Sequence, residues 1–197
     1  MSKLKSATAI ALSILISATS VMPTMAARVY NPDSNTWVEA GSIKARPRAG
    51  SAIKREVVDY ATNHKPGTVV VETGERRLYF VLPDGKAVKY GVGVGRDGFT
   101  WSGSHRITRK AEWPGWTPPA QMRKRVPDLP AYMPGGPDNP LGARAMYIGS
   151  TLYRLHGTSE PASIGQAVSS GCIRLTNEDV VDLYDRVQVG ALVVVNH

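Results

Sequence analysis

The chain has 197 residues, of which 42% are hydrophobic and 20% charged, with a formal net charge of +8 and a single cysteine. That length supports one domain with a real core and a short appendage. One cysteine excludes an internal disulfide framework, and the basic balance favours an anionic neighbour.

Lys3 and Lys5 precede an apolar run from Ala7 to about Ile16, and the small residues of "TMAA" follow. This is the pattern of a secretory signal peptide over residues 1–26, cut after Ala26. The run is too short, and too interrupted by Ser and Thr, for a membrane span of about 20 residues, although retention as an N-terminal anchor stays open. No cysteine lies near the cleavage region, which excludes a lipoprotein anchor. Losing Lys3 and Lys5 lowers the charge from +8 to +6. Such a chain, exported to the periplasm or cell wall, meets wall polymer, lipopolysaccharide or a membrane surface before nucleic acid.

Residues 27–66 carry "NPDSNTW", "KARPRAG" and "NHKPG" and read as an irregular lead-in, with a short helix expected over Ser51–Tyr60. From Gly67 to the C-terminus the texture is that of one domain built of strands. "TVVVET", "RRLYFVL" and "KAVKYGVGV" come first, and Asp84-Gly85 marks a tight hairpin between the last two. Residues 99–142, rich in Trp, Pro and Gly, read as a long covering loop, with Trp113 and Trp116 as candidates to lie over a substrate. "ARAMYIG" and "TLYRLHG" form a second hairpin around Gly149-Ser150, whose later strand ends at His156. "TNEDVVDLYDRV" is a capped amphipathic helix, opened by Thr176 with Asp179 three residues on. "ALVVVN" closes the chain as a strand.

"GVGRDG", Gly93–Gly98, has the spacing of a dinucleotide-binding turn, but no helical periodicity follows it, so no nucleotide is expected there. The four histidines, His64, His105, His156 and His197, lack paired spacing and Cys172 has no second thiol, so neither a metal nor another cofactor is expected. Attention falls on "LHGTSEPASIGQAVSSGCIRL", which places His156 sixteen residues before Cys172. A cysteine nucleophile needs a pKa below its ordinary value of about 8.5. Gly171 allows a sharp turn, Arg174 adds positive charge, and the helix after Thr176 adds its N-terminal dipole. The amides of Gly171 and Cys172 can form an oxyanion hole. Read from the residues alone, the pair is either a nucleophile with its base or a buried thiol beside a loop histidine.

"HGT" followed at this distance by "SSGCIRL", with glycine-rich strands before and a short strand after, resembles the L,D-transpeptidase (YkuD-type) catalytic domain over Gly67–Asn196. The resemblance implies a mostly β, mixed-sheet, sandwich-like fold with one short capped helix after the cysteine. It implies acyl transfer from the diaminopimelate–D-alanine bond of a peptidoglycan stem peptide, and a carbapenem-sensitive thiol. Acceptors would be a second stem, a D-amino acid, an amine of an outer-membrane protein, or water in an L,D-carboxypeptidase. By the same resemblance Cys172 is the nucleophile, His156 the proton acceptor and donor, and the Gly157 carbonyl the group that orients His156. Arg174 matches the "CIR" pattern and is a candidate for a stem-peptide carboxylate. Many members have His before Gly-Cys where this chain has Ser170, which leaves Ser170 as hydrogen-bonding support and keeps open a noncatalytic wall-binding module.

Overall fold

The computed structural model describes residues 28–31, 36–39 and 53–197. The signal-peptide reading of residues 1–26 lies outside them. β1 (Arg28–Asn31) and β2 (Thr36–Glu39) pair as an antiparallel hairpin. The helix expected over Ser51–Tyr60 is corrected: within the described part of that stretch lies a strand, β3 (Glu56–Asp59), paired antiparallel with β6 (Lys86–Gly91) at one edge of the main sheet. Val57 and Val58 give the segment β propensity. The flanking charges, which suggest a helix in sequence, pair across the strands as Lys89–Glu56 and Lys86–Asp59.

β4 (Val69–Glu72), β5 (Arg77–Val81) and β6 follow as an antiparallel meander, and Asp84 and Gly85 turn the second hairpin with φ of 59° and 67°. Positive φ at both central residues matches the right-handed twist of the strands, which is why Asp-Gly is legible as a hairpin. β7 (Val94–Gly95) is a short strand that pairs in parallel with β11 (Ala167–Ser169). The glycine run of 93–98 therefore enters a turn and then a strand, and no helix N-terminus follows it.

β8 (Gly103–Glu112) lies inside the segment read as a loop over 99–142, and it is a central strand between β9 (Arg144–Ile148) and β13 (Leu192–Asn196). Only Ile107 of its ten residues is fully buried, so the strand carries no apolar alternation to find. Lys110 explains part of this. It reaches from β8 to donate to the carbonyls of Tyr184 and Val187 at the end of the helix α2 (Asn177–Arg186), which satisfies acceptors that the helix cannot.

β9 and β10 (Arg154–His156) form the expected hairpin, and β12 (Ile173–Arg174) adds to β10 in parallel at the other edge. The result is a mixed nine-stranded sheet in the order β12-β10-β9-β8-β13-β4-β5-β6-β3. Val193–Val195 lie in parallel register with Val69–Val71 and are buried on both faces, as continuous valine runs in parallel pairs require. α2 packs on β9 with Val180 and Leu183 in the core, and its N-terminus is capped by Thr176, whose Oγ1 accepts from the Asp179 N–H at 3.1 Å.

The true covering segment is 113–142. It holds the short helix α1 (Ala120–Arg125) and a satellite core of Trp116, Leu129 and Leu141. Buried Asn139 fastens it, donating to the Pro134 carbonyl at 2.8 Å and accepting from the Leu141 N–H at 2.9 Å.

Candidate active site

The parallel pairing of β10 with β12 builds the site. Leu155 opposes Ile173 and both enter the core, which turns Arg154 and His156 on one strand, and Cys172 and Arg174 around the other, to the opposite face. There all four line a cavity of about 280 Å³, with the covering segment forming its other wall. The two residues, sixteen positions apart in the chain, thus face one cavity because adjacent strand ends carry them.

His156 is buried, and its Nδ1–H donates to the Gly157 carbonyl at 2.5 Å. A carbonyl only accepts, so this bond puts the proton on Nδ1 and leaves the Nε2 lone pair available. Gly157 has no room for a side chain: a Cβ there would stand 2.3 Å from Asn177 Oδ1, which already accepts from the Ala143 N–H at 2.9 Å. Burial, with the Arg154 charge second, pushes the imidazole down to about 3, against the opposing Gly157 bond.

Cys172 is half-buried, and its Sγ contacts the Leu152 carbonyl at 3.9 Å. The expectation of a depressed thiol pKa is corrected. Burial pushes this thiol up, and the Arg154 charge only partly offsets it. Thiol and imidazole therefore both rest neutral at neutral pH. Arg174 is buried, and desolvation lowers it to about 10, so it remains a cation at neutral pH.

The turn before the cysteine differs from the sequence reading in two ways. The Gly171 N–H, expected in the oxyanion hole, is bonded to Ser169 Oγ at 3.1 Å. Ser169 also donates to the Cys172 carbonyl at 2.6 Å and is 2% exposed, so the supporting hydroxyl is Ser169, while Ser170 lines the cavity without a side-chain hydrogen bond among the described residues. The signal for this was only "SS" before Gly-Cys, and nothing local chooses between the two. Gly171 holds φ of +103°, its carbonyl accepts from Trp101 Nε1 at 2.7 Å, and Trp101 stacks on Tyr153 at 4.6 Å. Trp101 and Tyr153 were also missed, since each acts through a strand distant in sequence. Of the two covering tryptophans, Trp116 lines the cavity, whereas Trp113 is 44% exposed and does not. No group of three or more His, Cys, Asp or Glu side chains converges on a possible metal position among the described residues.

The family model for YkuD, the L,D-transpeptidase catalytic domain, matches residues 66–195. The chain belongs to this family. The probable L,D-transpeptidase ErfK/SrfK of Escherichia coli K12 is 39% identical over 188 residues, covering 89% of this chain and 59% of that protein, so the chain spans about three fifths of this relative. A Brucella melitensis structure described as a probable carnitine operon oxidoreductase is 41% identical, covers 75% of this chain and 97% of that one, and superposes with a TM-score of 0.52. The complex of Mycobacterium tuberculosis L,D-transpeptidase 3 with a faropenem-derived adduct shares the fold at a TM-score of 0.53 and 21% identity, over 66% of this chain and 60% of that one. Within this L,D-transpeptidase fold, the mostly β, mixed-sheet architecture carries the Cys172 and His156 pair at one sheet edge.

Proposed function

We propose that the chain is an exported L,D-transpeptidase that transfers the acyl group of a peptidoglycan stem peptide through Cys172. The observation that carries this reading is the thiol and the imidazole facing one cavity from adjacent strands, with the His156 tautomer set by the Gly157 carbonyl. The thiol proton passes to His156 Nε2 and the thiolate attacks the carbonyl at the L-centre of diaminopimelate. The developing oxyanion meets the Cys172 N–H, since the Gly171 N–H is engaged by Ser169. The C–N bond then breaks, and the D-alanine amine departs with the proton held by His156. A thioester remains on Cys172.

An acceptor amine loses a proton to His156 as it attacks the thioester, and that proton returns to the sulfur. A second diaminopimelate gives a 3-to-3 crosslink, a D-amino acid gives exchange, an amine of an outer-membrane protein gives anchoring, and water gives L,D-carboxypeptidase activity. The apolar wall around Trp116 favours amines by restricting water at the thioester. Export rests on the signal pattern of residues 1–26. Among the described residues no helix is long and apolar enough to cross a membrane.

Incubation of the protein with tetrapeptide muropeptides, read by mass, tests this function: dimers minus one D-alanine are expected, and Cys172→Ala should yield none. A carbapenem should add its mass to Cys172, as its strained amide carbonyl reaches the same thiolate. Unchanged muropeptides together with an unreactive thiol would instead leave a wall-binding module.

A further inference from the structure

Among the residues that line the cavity are three arginines, Arg125, Arg154 and Arg174, and no aspartate or glutamate. Arg154 stands two residues before His156 on the same face of β10, and one step back along the register from Leu155↔Ile173 places it across from Cys172. Its guanidinium is aimed: Nη2 donates to the Leu152 carbonyl at 3.0 Å, the same carbonyl that Cys172 Sγ contacts. Tyr147 stands beside it at 5.6 Å, with Arg109 over that ring at 3.6 Å. Arg154 Nε is buried and has no hydrogen-bond partner within the protein. A cation fixed beside the nucleophile, with a buried donor left over, is built for an anion that arrives with the substrate.

Arg125 ends α1 on the opposite wall. Its guanidinium lies 5.5 Å from the Phe99 ring, and Arg96 covers that ring at 4.5 Å. Phe99 thus links the covering segment to the turn after β7, and Arg125 is presented at the mouth.

We propose that Arg154 and Arg125 are specificity residues that select acyl donors with two free carboxylates. Arg154 receives the carboxylate of the residue that leaves, and Arg125 receives the carboxylate on the side chain of the residue that is acylated. The leaving residue carries its carboxylate two bonds beyond the scissile nitrogen, so it falls next to the thiol. The side chain extends from the acyl carbonyl across the cavity towards the lid. The identity of the ligand rests on the stem-peptide reading above.

Calorimetry on the full chain carrying Cys172→Ala, which leaves the donor uncleaved, tests the selection with three synthetic tetrapeptides: both carboxylates free, the C-terminal carboxylate amidated, or the side-chain carboxylate amidated. Each amidation should weaken binding at least about tenfold, as loss of a charge-assisted hydrogen bond does. Adding Arg154→Gln should erase the C-terminal penalty alone, and adding Arg125→Gln the side-chain penalty alone. Equal affinity for all three peptides, no measurable binding of any, or penalties that survive both substitutions would overturn the assignment. Each readout is a ratio within one protein, so a loss of folded fraction cancels. Turnover by the unsubstituted protein is followed in parallel: discrimination without turnover would sink acyl transfer and leave carboxylate selection standing.

Discussion

Ser169→Ala probes the turn that presents the nucleophile. The hydroxyl is buried, donates to the Cys172 carbonyl at 2.6 Å and accepts from the Gly171 N–H at 3.1 Å. Its removal leaves a backbone donor and a backbone acceptor without partners, each at a cost of about 1–3 kcal/mol when buried. Since Cys172 is half-buried and water can reach part of the turn, a combined loss of about 2–4 kcal/mol is expected. The backbone pairing of the segment survives, because the Ser169 carbonyl still accepts from the Arg96 N–H at 3.0 Å. The protein should therefore fold but hold Cys172 less firmly. Misplacement of a reacting group by about 1 Å costs roughly a hundredfold, so acylation should slow by about 10- to 100-fold. Urea denaturation gives the first quantity, and single-turnover thioester formation, followed by mass, gives the second. Ser170→Ala should stay within about 0.5 kcal/mol of the parent, as a half-exposed side chain without a hydrogen bond does. A Ser169→Ala variant with parental stability and rate, or a Ser170→Ala variant that is the more damaged, would refute this account of the turn.

Gly171→Ala should destabilise by about 2–4 kcal/mol from left-handed strain and overpacking, because its Cβ would stand 2.4 Å from Tyr153 Cε1; a parental melting temperature would contradict this. His156→Ala should slow acylation by about 10² to 10⁴, and a smaller loss would remove it as the base. The folded imidazole lies at about 3 against an ordinary 6.5, so the unfolded chain takes up this proton first. The contribution is fully present above pH 6.5 and is lost as pH falls towards 3, so the stability gap between parent and His156→Gln should move against the parent between pH 7 and pH 4.5 in urea titrations; a gap independent of pH speaks against a buried neutral imidazole. Trp116→Ala should raise the ratio of hydrolysis to aminolysis several-fold, since core Trp→Ala changes cost about 3–5 kcal/mol and loosen what they support, while Trp113→Ala should leave that product ratio unchanged. Equal effects at the two positions would mean that the lid does not act through the Trp116 cluster.

Local sequence by itself determined the features whose physics is local. Asp84-Gly85 set a hairpin through its φ preferences, Thr176 with Asp179 set a helix start, and the valine runs marked strands. The single cysteine following "HG" by a loop's length pointed to the reacting pair, since a lone thiol in an exported chain needs a reason to be kept. What only the tertiary structure decided depends on partners remote in the chain. β8 is a strand because β9 and β13 flank it and α2 needs the Lys110 ammonium, and its polar residues show none of this. β3 exists through pairing with β6. The choice of Ser169 over Ser170, and of Trp116 over Trp113, turns on which side of a short strand or loop each side chain takes, and a one-residue change reverses it. The resting protonation of Cys172 and His156 was decided last, because burial acts through space: it keeps the imidazole neutral together with the Arg154 charge, and at the thiol it outweighs both that charge and the helix and glycine features that the local sequence displays.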